Sequence, residues 1–283
     1  MLSKDNKILI VGLGLIGGSY AEGLTKAGYT VGAITRSAST LEYALKKGIV
    51  ASGATVVEED YLSGFDIIIS GLYPTTLLEW VEQYQKWFKS GALLTDVTGV
   101  KGAIVNKIQD MLRGDVEFVG AHPMAGREVS GVQNADSRIF LGANYIVTPT
   151  ERNSEDAIRK CEELGRILGF GNISRLSPER HDEIIGFLSQ LTHCIAVSLM
   201  NCKEPGEMAG YTGDSFRDLT RIAKINDNMW PELFMLNKKE LLEQMDLFRT
   251  EFMRLRTAIE EDDIATVRLM MQTSTERRKQ FDK

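Results

Sequence analysis

Apolar residues in the first half of the chain follow two alternating spacings. Short runs rich in β-branched residues, such as Lys7–Val11 (KILIV), alternate with longer segments whose apolar residues recur three and four positions apart. The short runs predict strands, the longer segments predict helices, and their succession is typical of βαβ units on a parallel sheet. The predicted strands are Lys7–Val11, Thr30–Thr35, Asp66–Ser70, Ala92–Thr95, Glu117–Gly120, Tyr145–Thr148 and Asn172–Leu176. The predicted helices are Leu15–Ala27, a segment opened by a Ser39/Glu42 capping box and closed by Gly48, Thr75–Lys89, Gly102–Leu112 and Asn153–Leu168.

The pattern changes at Ser177-Pro178. Beyond this break the chain consists of long helical segments with few clusters of β-branched residues. We therefore predict an α/β fold class with two domains. A Rossmann-type parallel-sheet domain would span residues 1–177, and an all-α helical domain would span residues 178–283.

A glycine-rich turn follows the first predicted strand. Gly14 lets a backbone approach a pyrophosphate, while Gly12 permits the tight turn and Gly17 allows close helix–strand packing. The pattern G-x-G-x-x-G is weak alone, but here it lies between a strand and a helix, as dinucleotide binding requires. A turn that binds nothing is the alternative. The predicted cofactor-binding residues of this turn are Gly12, Leu13, Gly14, Leu15, Ile16 and Gly17.

The end of the second predicted strand bears on the choice of dinucleotide. An Asp or Glu about 20 residues after the glycines would bind the ribose hydroxyls of NAD. This chain instead has Thr35, Arg36 and Ser37 there. A guanidinium with two hydroxyls suits a 2′-phosphate, so these residues are predicted to bind the cofactor and to favour NADP. NAD remains the alternative because an Arg can also stack on adenine, and Arg36 without any role is a third interpretation.

The charge balance limits the classes of partner. With 33 basic and 39 acidic residues the net charge is −6, which argues against nucleic acids and anionic membranes. Three widely spaced cysteines fit neither a disulfide framework nor a zinc site, so we expect free buried thiols and no metal. The first residues are not typical of a signal peptide, and no stretch approaches the ~18 apolar residues of a membrane span. A cytoplasmic protein is expected.

Histidine is rare in this chain, which has three. His122 directly follows the strand predicted at Glu117–Gly120 and opens the segment HPMAG. Residues just past the carboxyl ends of parallel strands face the ligand crevice of an open α/β sheet. A histidine there can remove a hydroxyl proton while hydride leaves the same carbon. His122 is therefore a candidate catalytic base, and a histidine that caps a loop is the alternative.

Five segments carry a family resemblance. They are GLGLIGGS at 12–19, TDVTGVK at 95–101, HPMAG at 122–126, FRDLTRIA at 216–223 and Met229-Trp230. In this order they resemble the prephenate and arogenate dehydrogenases of tyrosine biosynthesis. The resemblance implies oxidative decarboxylation of a cyclohexadienol, in which hydride passes from the carbinol carbon to the nicotinamide. A histidine removes the hydroxyl proton, carbon dioxide is lost and the ring becomes aromatic. His122 matches the family's catalytic histidine.

The chain departs from the family at one position. The family commonly has a serine two residues before the lysine of TDVTGVK, hydrogen-bonded to the reacting hydroxyl and to the histidine. Gly99 stands there in this chain, and the neighbouring hydroxyl belongs to Thr98. Thr98 is therefore predicted to be the second catalytic residue. Asp96 and Lys101 match the family, and Lys101 is expected to cap or to pair with Asp96.

The helix predicted around residues 181–200 supplies two substrate-binding candidates. Gln190 and His193 lie on a stripe apart from the helix's apolar face. Polar groups in so apolar a helix either satisfy buried neighbours or line a site, and the family places substrate-binding residues here. His181, at the helix start beside Asp182, is expected to be solvated or capping.

Two arginines supply the remaining candidates. Arg217 and Arg221 lie four residues apart on a predicted helix, where like charges repel unless Asp214 and Asp218 counter them. Alternatively, one Arg binds a substrate carboxylate in bidentate fashion, as the resemblance implies. Arg217 and Arg221 are therefore both candidates for binding a small-molecule substrate with two carboxylates, and the sequence does not say which of them binds it. Trp230 is expected in the core, and the long helices after Pro231, like the family, suggest a homodimer formed through the helical domain.

Two other functions compete with this interpretation. A β-hydroxyacid dehydrogenase-like reductase shares the Rossmann start and the helical partner domain, but its lysine on a glycine-rich helix has no counterpart after residue 178. A non-catalytic dinucleotide sensor is the second alternative, which Gly99 favours and His122 opposes.

Overall fold

The computed structural model describes residues 2–282 and has an α/β architecture. The strands are β1 Lys7–Val11, β2 Thr30–Ile34, β3 Ser52–Ala54, β4 Ile67–Ser70, β5 Leu93–Asp96, β6 Glu117–Met124, β7 Asn144–Thr148 and β8 Asn172–Arg175. The first six α-helices are α1 Leu15–Lys26, α2 Ala38–Lys46, α3 Glu59–Leu62, α4 Pro74–Tyr84, α5 Val105–Met111 and α6 Glu155–Leu168. The last six are α7 Pro178–Ile185, α8 Thr192–Asn201, α9 Asp214–Thr220, α10 Met229–Leu236, α11 Lys238–Glu260 and α12 Ile264–Arg278.

All eight strands join one sheet in the order β3-β2-β1-β4-β5-β6-β7-β8. Neighbouring strands are parallel except β6 and β7, which pair antiparallel. Apolar residues of α1 and α6 cover one face of the sheet, and those of α4 and α5 cover the other. The predicted fold class is therefore confirmed. The strand order reverses between β1 and β4, and ligands bind at such a point in open α/β sheets.

β6 is longer than the sequence predicts. The expected strand ends at Gly120, but pairing with β7 extends it to Met124, with His122 opposite Ile146. His122 therefore lies inside a strand rather than in a loop beyond it. The apolar pattern stops early because the extension is only partly buried, while its backbone hydrogen bonds are supplied by a strand distant in sequence.

Two short elements and one helix start also differ from the predictions. β3 and α3 were not predicted, since they have three and four residues and little apolar pattern. α2 begins earlier than the capping box at Ser39 and Glu42 implied. Its N-cap is Ser37, whose hydroxyl accepts from the Thr40 backbone N–H. The predicted capping box is therefore wrong.

Helices dominate the chain after residue 177, as predicted. Ser177 caps α7 by accepting from the Arg180 N–H, so the predicted domain boundary falls on a helix start. A π-helical turn, Gly186–Leu191, joins α7 to α8 in one helical run, Pro178–Asn201. By length and composition alone this run could cross a membrane, contrary to the expectation from the sequence, although core helices pass the same test.

Candidate active site

The glycine turn between β1 and α1 is shaped by close backbone approach. Gly12 has φ +93°, and a Cβ there would lie 3.1 Å from the Gly71 carbonyl oxygen after β4. A Cβ on Gly17 would lie 2.0 Å from the Gly12 carbonyl oxygen. Gly14 faces open space, and α1 begins after it with no side-chain cap. The turn therefore leaves uncapped N–H groups beside an open face, which fits a dinucleotide pyrophosphate.

The three residues after β2 lie at the same edge of the sheet. Thr35 donates its backbone N–H to the Ala54 carbonyl. The Ser37 hydroxyl caps α2 and lies 3.0 Å from the Ser39 hydroxyl. Arg36 is exposed and forms no ion pair with any carboxylate of residues 2–282. A guanidinium without a carboxylate partner is thus available at the end of β2.

His122 lies at one end of a chain of hydrogen-bonded polar groups that continues through His181 to Asp182. Its Nδ1 is 2.8 Å from Nε2 of His181, which α7 contributes. The Nδ1 of His181 is in turn 2.7 Å from Oδ1 of Asp182. His181 is fully buried, so the expectation that it is solvated or caps the helix is wrong. The fold places it behind His122 because α7 packs its first turn against the loop after β5.

That loop anchors Asp182. The backbone N–H groups of Lys101 and Gly102 each donate to one carboxylate oxygen of Asp182 at 2.8 Å. The Lys101 ammonium is fully buried and lies 2.5 Å from Asp96 Oδ2, as the expected pairing requires. Asp96 also accepts the N–H of Ala121 at 3.0 Å, which fixes the part of β6 that directly precedes His122. One carboxylate thus joins the loop to the strand that bears the base.

Thr98 and Gly99 occupy this same loop but face different neighbours. The Thr98 hydroxyl lies 2.5 Å from Asp96 Oδ2 and 2.9 Å from the Val100 carbonyl oxygen, and is buried. It also accepts from the Lys101 ammonium at 3.1 Å, so its hydrogen-bonding capacity is used within the loop. A Cβ on Gly99 would lie 3.8 Å from His122 Nε2. Position 99, not position 98, faces the base.

Burial governs the protonation of His122. Burial lowers the pKa of His122 well below its ordinary value, and the charges of His181 and Lys101 lower it further. The neutral form therefore persists through neutral pH, which a group that accepts a proton requires.

The helical half contributes an aromatic wall. The rings of His193 and Trp230 are in contact, with centroids 3.8 Å apart and planes tilted by 31°, and both side chains are partly buried. Trp230 is therefore not a core residue, contrary to expectation. The Nδ1–H of His193 donates to the Ser189 carbonyl at 2.8 Å. Burial lowers the pKa of His193, while Glu128 raises it and Arg221 lowers it by their charges.

Gln190 lies deeper than His193. It is buried, and its amide donates to the Leu233 carbonyl at 3.2 Å and accepts from the Asn237 amide at 2.8 Å. Asn237 also donates to the Asp182 carbonyl at 2.9 Å. Gln190 thus connects the π-helical turn to α10 and to Asn237, which in turn contacts α7, and its predicted contact with substrate stays a prediction.

The two arginines of α9 and the turn after it face different partners. Arg217 pairs with Asp214 one turn earlier at 2.5 Å, on an exposed surface. Arg221 pairs with Glu128, which follows the end of β6. Glu128 lies six residues beyond His122 in the chain, so this ion pair connects Arg221 to the segment after β6. Arg217 instead pairs within its own helix.

Several residues of this crevice carried no signal in the sequence. His181, Asp182 and Glu128 are ordinary polar residues of helix starts and loops until tertiary contacts bring them to His122 and Arg221.

The cysteines also differ from the expectation. Cys161 is buried, and burial raises its pKa to about 11, but Cys202 is exposed, so not every thiol is buried.

Comparisons with known proteins agree with this geometry. Residues 20–169 match the family described as prephenate dehydrogenase, nucleotide-binding domain, and residues 177–273 match the one described as prephenate dehydrogenase, dimerization domain. The chain is 31% identical to a prephenate dehydrogenase of Bacillus subtilis, over 93% of this chain and 72% of that protein. It is 28% identical to a cyclohexadienyl dehydrogenase of Zymomonas mobilis, over 90% of this chain and 89% of that one.

Solved structures give the same result. The fold is similar to prephenate dehydrogenase from A. aeolicus in complex with hydroxyphenyl propionate and NAD+, with a TM-score of 0.88 and 28% identity over 98% of this chain and 99% of that one. Synechocystis arogenate dehydrogenase gives a TM-score of 0.83 at 25% identity, over 98% and 100% of the two chains. A 3-hydroxyisobutyrate dehydrogenase from Salmonella typhimurium, at 14% identity and a TM-score of 0.58 over 87% and 88%, shares the fold alone.

Proposed function

This chain belongs to the prephenate dehydrogenase family, and from that premise we propose how its crevice carries out the family's reaction. The reaction is the NAD(P)-linked oxidative decarboxylation of prephenate or arogenate. The observation that carries the proposal is the placement of α10 beside His122, since a Cβ on Gly99 would lie 3.8 Å from His122 and 3.5 Å from Leu233 of α10. The same helix carries Trp230, whose ring lies 3.8 Å from that of His193, and Arg221 pairs with Glu128 beyond the end of β6. One polar base, one aromatic wall and one cation suit a substrate that carries a hydroxyl, a ring and carboxylates.

His122 acts as the base. Its Nε2 accepts the proton of the substrate hydroxyl, so that the carbinol carbon becomes a carbonyl carbon as hydride leaves. The turn from Gly12 to Gly17 would hold the pyrophosphate of the dinucleotide, whose nicotinamide would accept the hydride. The lowered pKa of His122 keeps this nitrogen unprotonated at neutral pH. Loss of carbon dioxide from the oxidised ring then restores aromaticity.

Arg221 binds a substrate carboxylate. Its guanidinium pairs with the Glu128 carboxylate in the described structure, and a substrate carboxylate would take the place of Glu128 there. A guanidinium can bind a carboxylate through two parallel hydrogen bonds, which orients the ligand as well as holding it. His193 and Trp230 form the adjoining wall. Arg217, paired with Asp214 away from these groups, serves the structure of α9.

Position 99 sets how the base is supported. The Thr98 hydroxyl is engaged by Asp96 and Val100, so Thr98 stabilises the loop and does not take the role of the family's serine. Gly99 leaves the His122 Nε2 side of the crevice without a hydroxyl from this loop. Support for His122 must therefore come from residues outside this loop.

The cofactor is a nicotinamide dinucleotide, and we infer a preference for NADP. Arg36 stands at the end of β2 with no carboxylate beside it, and the Ser37 and Ser39 hydroxyls lie next to it in the chain. A 2′-phosphate would meet one cation and two hydroxyl donors there. NAD is the alternative, because Arg36 is exposed and free to stack on adenine instead.

A homodimer formed through the helical half completes the proposal. The matched segment 177–273 is described as a dimerization domain. Large apolar side chains are exposed along α11 and α12, among them Leu247, Phe252, Ile259, Leu269 and Met271. Only 28% of the apolar window of Pro178–Asn201 is buried in one chain, which leaves a face for a second copy rather than for lipid. Light scattering in solution would measure the mass.

The activity itself is tested by absorbance at 340 nm with four pairs, prephenate or arogenate with NAD or NADP. We expect reduction of the nicotinamide with at least one substrate, and faster reduction with NADP than with NAD. Both substrates carry the reacting hydroxyl. The ratio of the rates with prephenate and arogenate therefore reports on recognition of the substrate side chain and not on the chemistry at His122. No reduction in any of the four mixtures would overturn the proposed function.

A further inference from the structure

Two histidines from distant parts of the chain meet behind the active-site crevice. His122 and His181 are separated by 59 positions in sequence, yet their Nδ1 and Nε2 atoms are 2.8 Å apart. The rings are tilted by 58°, with centroids 5.1 Å apart, so the contact joins the ring nitrogens rather than stacking the faces. We infer that His181, held by Asp182, is a positioning residue that fixes the tautomer of His122 and so presents an unprotonated Nε2 to the substrate hydroxyl.

The order of donors follows from Asp182. Its Oδ1 accepts from the Lys101 N–H and its Oδ2 accepts from the Gly102 N–H, both at 2.8 Å. Asp182 is therefore an acceptor towards His181 as well, and the Nδ1 of His181, at 2.7 Å, carries the proton of that hydrogen bond. A neutral imidazole with a proton on Nδ1 has a bare Nε2.

The tautomer of His122 follows from that of His181. Because the His181 Nε2 is bare, the hydrogen bond between the rings requires a proton on the Nδ1 of His122. The Nε2 of a neutral His122 is consequently the free acceptor. That nitrogen faces the side of the ring where a Cβ on Gly99 would lie 3.8 Å away. The base of the reaction is thus aimed by a hydrogen bond on its opposite nitrogen.

Burial favours the neutral form of both rings. Burial lowers the pKa of His122 well below its ordinary value, and burial also lowers the pKa of His181. Lys101 opposes protonation of either ring, while Asp182 and Asp96 favour it at His181. With both rings neutral, the donor order described above gives one donor and one acceptor to each hydrogen bond between His122, His181 and Asp182.

The support is rigid because it rests on the backbone. The donors to Asp182 are peptide N–H groups of the loop that also carries Thr98 and Gly99. His181 and Asp182 are 0% and 4% exposed, so water does not compete for these hydrogen bonds. The inferred role of His181 adds to the proposed function, and it rests on His122 being the base of that reaction.

The test uses two substitutions at one position. Phenylalanine in His181→Phe fills the space but offers no acceptor, whereas His181→Gln places an amide oxygen where Nε2 stands. We expect His181→Phe to lower kcat at least about tenfold, since a correctly placed base is worth ~10²–10⁴ in rate. KM should stay within about threefold, because the residue acts on the base and not on binding. His181→Gln should recover most of the lost kcat.

A double substitution separates positioning from packing. In the His122→Asn background, His181→Phe should cause no further loss of kcat, because the residue acts only through His122. Additional loss would indicate damage to the fold and would overturn the inference, as would a His181→Phe enzyme with kcat within about twofold of the wild type.

A measurement that does not need activity completes the test. The chain has three histidines, so ¹⁵N spectra of labelled protein without substrate can resolve each ring. We expect protonated Nδ1 and bare Nε2 at His122 in the wild type, and a mixture of tautomers in His181→Phe. A wild-type His122 with the proton on Nε2 would overturn the inference even if neither variant folds. Failure of the wild type to oxidise prephenate or arogenate would instead remove the proposed function and leave this result standing.

Discussion

The cofactor edge and the substrate crevice of this molecule are built in opposite ways. At the cofactor edge, six consecutive residues from Gly12 to Gly17 form the turn, and Arg36 follows at the end of the next strand. In the crevice, His122 meets a histidine 59 positions away, and Arg221 meets a glutamate 93 positions away. The first site is local in sequence, while the second exists only after the two halves of the chain pack together.

The difference has consequences for how substitutions act. A substitution in the local turn removes only the contacts of the substituted residue, because the β1–α1 backbone holds the neighbouring residues in place. In the crevice each polar group is the partner of another, so that one substitution leaves a buried partner unsatisfied. Substitutions in the crevice should therefore have the larger effects, and those at the cofactor edge should be smaller and more selective.

The largest effect is expected from His122→Asn. Asparagine retains hydrogen bonding but cannot accept the proton at neutral pH, so kcat should fall by ~10²–10⁴ with little change in cofactor affinity. Steady-state assays at saturating cofactor measure it, with cofactor binding as the control. A variant that keeps more than about a tenth of the wild-type kcat would remove His122 from the mechanism and turn attention to His193.

The pH dependence provides a second readout of the same residue. Neutral His122 is the active form, and burial lowers its pKa, so protonation should disable the base only in more acidic solution than an ordinary histidine would require. The wild-type kcat should therefore stay constant down to about pH 6.5, the pKa typical of free histidine, and should fall only in more acidic solution. This acidic limb should be absent from His122→Asn.

The second effect separates two arginines that the sequence could not distinguish. Arg221→Ala should raise KM for the substrate roughly 10- to 150-fold, because a charge-assisted hydrogen bond contributes ~1.5–3 kcal/mol. Arg217→Ala is the matched control, four residues away and paired with Asp214 on the surface, and its KM should stay near the wild-type value. Melting curves of both variants check the fold. A strong rise in KM for Arg217→Ala alone would reverse the assignment.

The same contrast explains what the sequence could predict. The fold class, the glycine turn and His122 follow from strand–helix succession and from motifs read within a few residues. The role of Thr98 did not, because the loop turns its hydroxyl towards Asp96 and Val100, and only the folded loop shows this. His181 was misjudged for the same reason, since its burial depends on packing of α7 against β6.

The third effect is smaller because it concerns an exposed residue. Arg36→Ala should weaken NADP about tenfold, a loss of about 1.4 kcal/mol, and leave NAD nearly unchanged. Titration of each dinucleotide by fluorescence measures both affinities, and Lys4→Ala, an exposed basic residue placed against Tyr29, is the control for lost charge. If the wild type binds NAD tenfold more tightly than NADP, Arg36 does not select a 2′-phosphate.

The smallest effect would add a group to the crevice rather than remove one. A Cβ on Gly99 would make ordinary contacts, 3.5 Å to Leu233 and 3.8 Å to His122, and the backbone there does not require glycine. Gly99→Ser should therefore fold and place a hydroxyl beside the base, where one more neutral hydrogen bond in the transition state is worth about 0.5–1.5 kcal/mol, or roughly two- to tenfold in kcat. Gly99→Ala, which adds the same carbon without the oxygen, is the control and should not raise kcat. An equal gain from both variants would assign the effect to packing against Leu233. A loss from Gly99→Ser alone would mean that the hydroxyl competes with the substrate for His122, and that this crevice is adapted to the glycine.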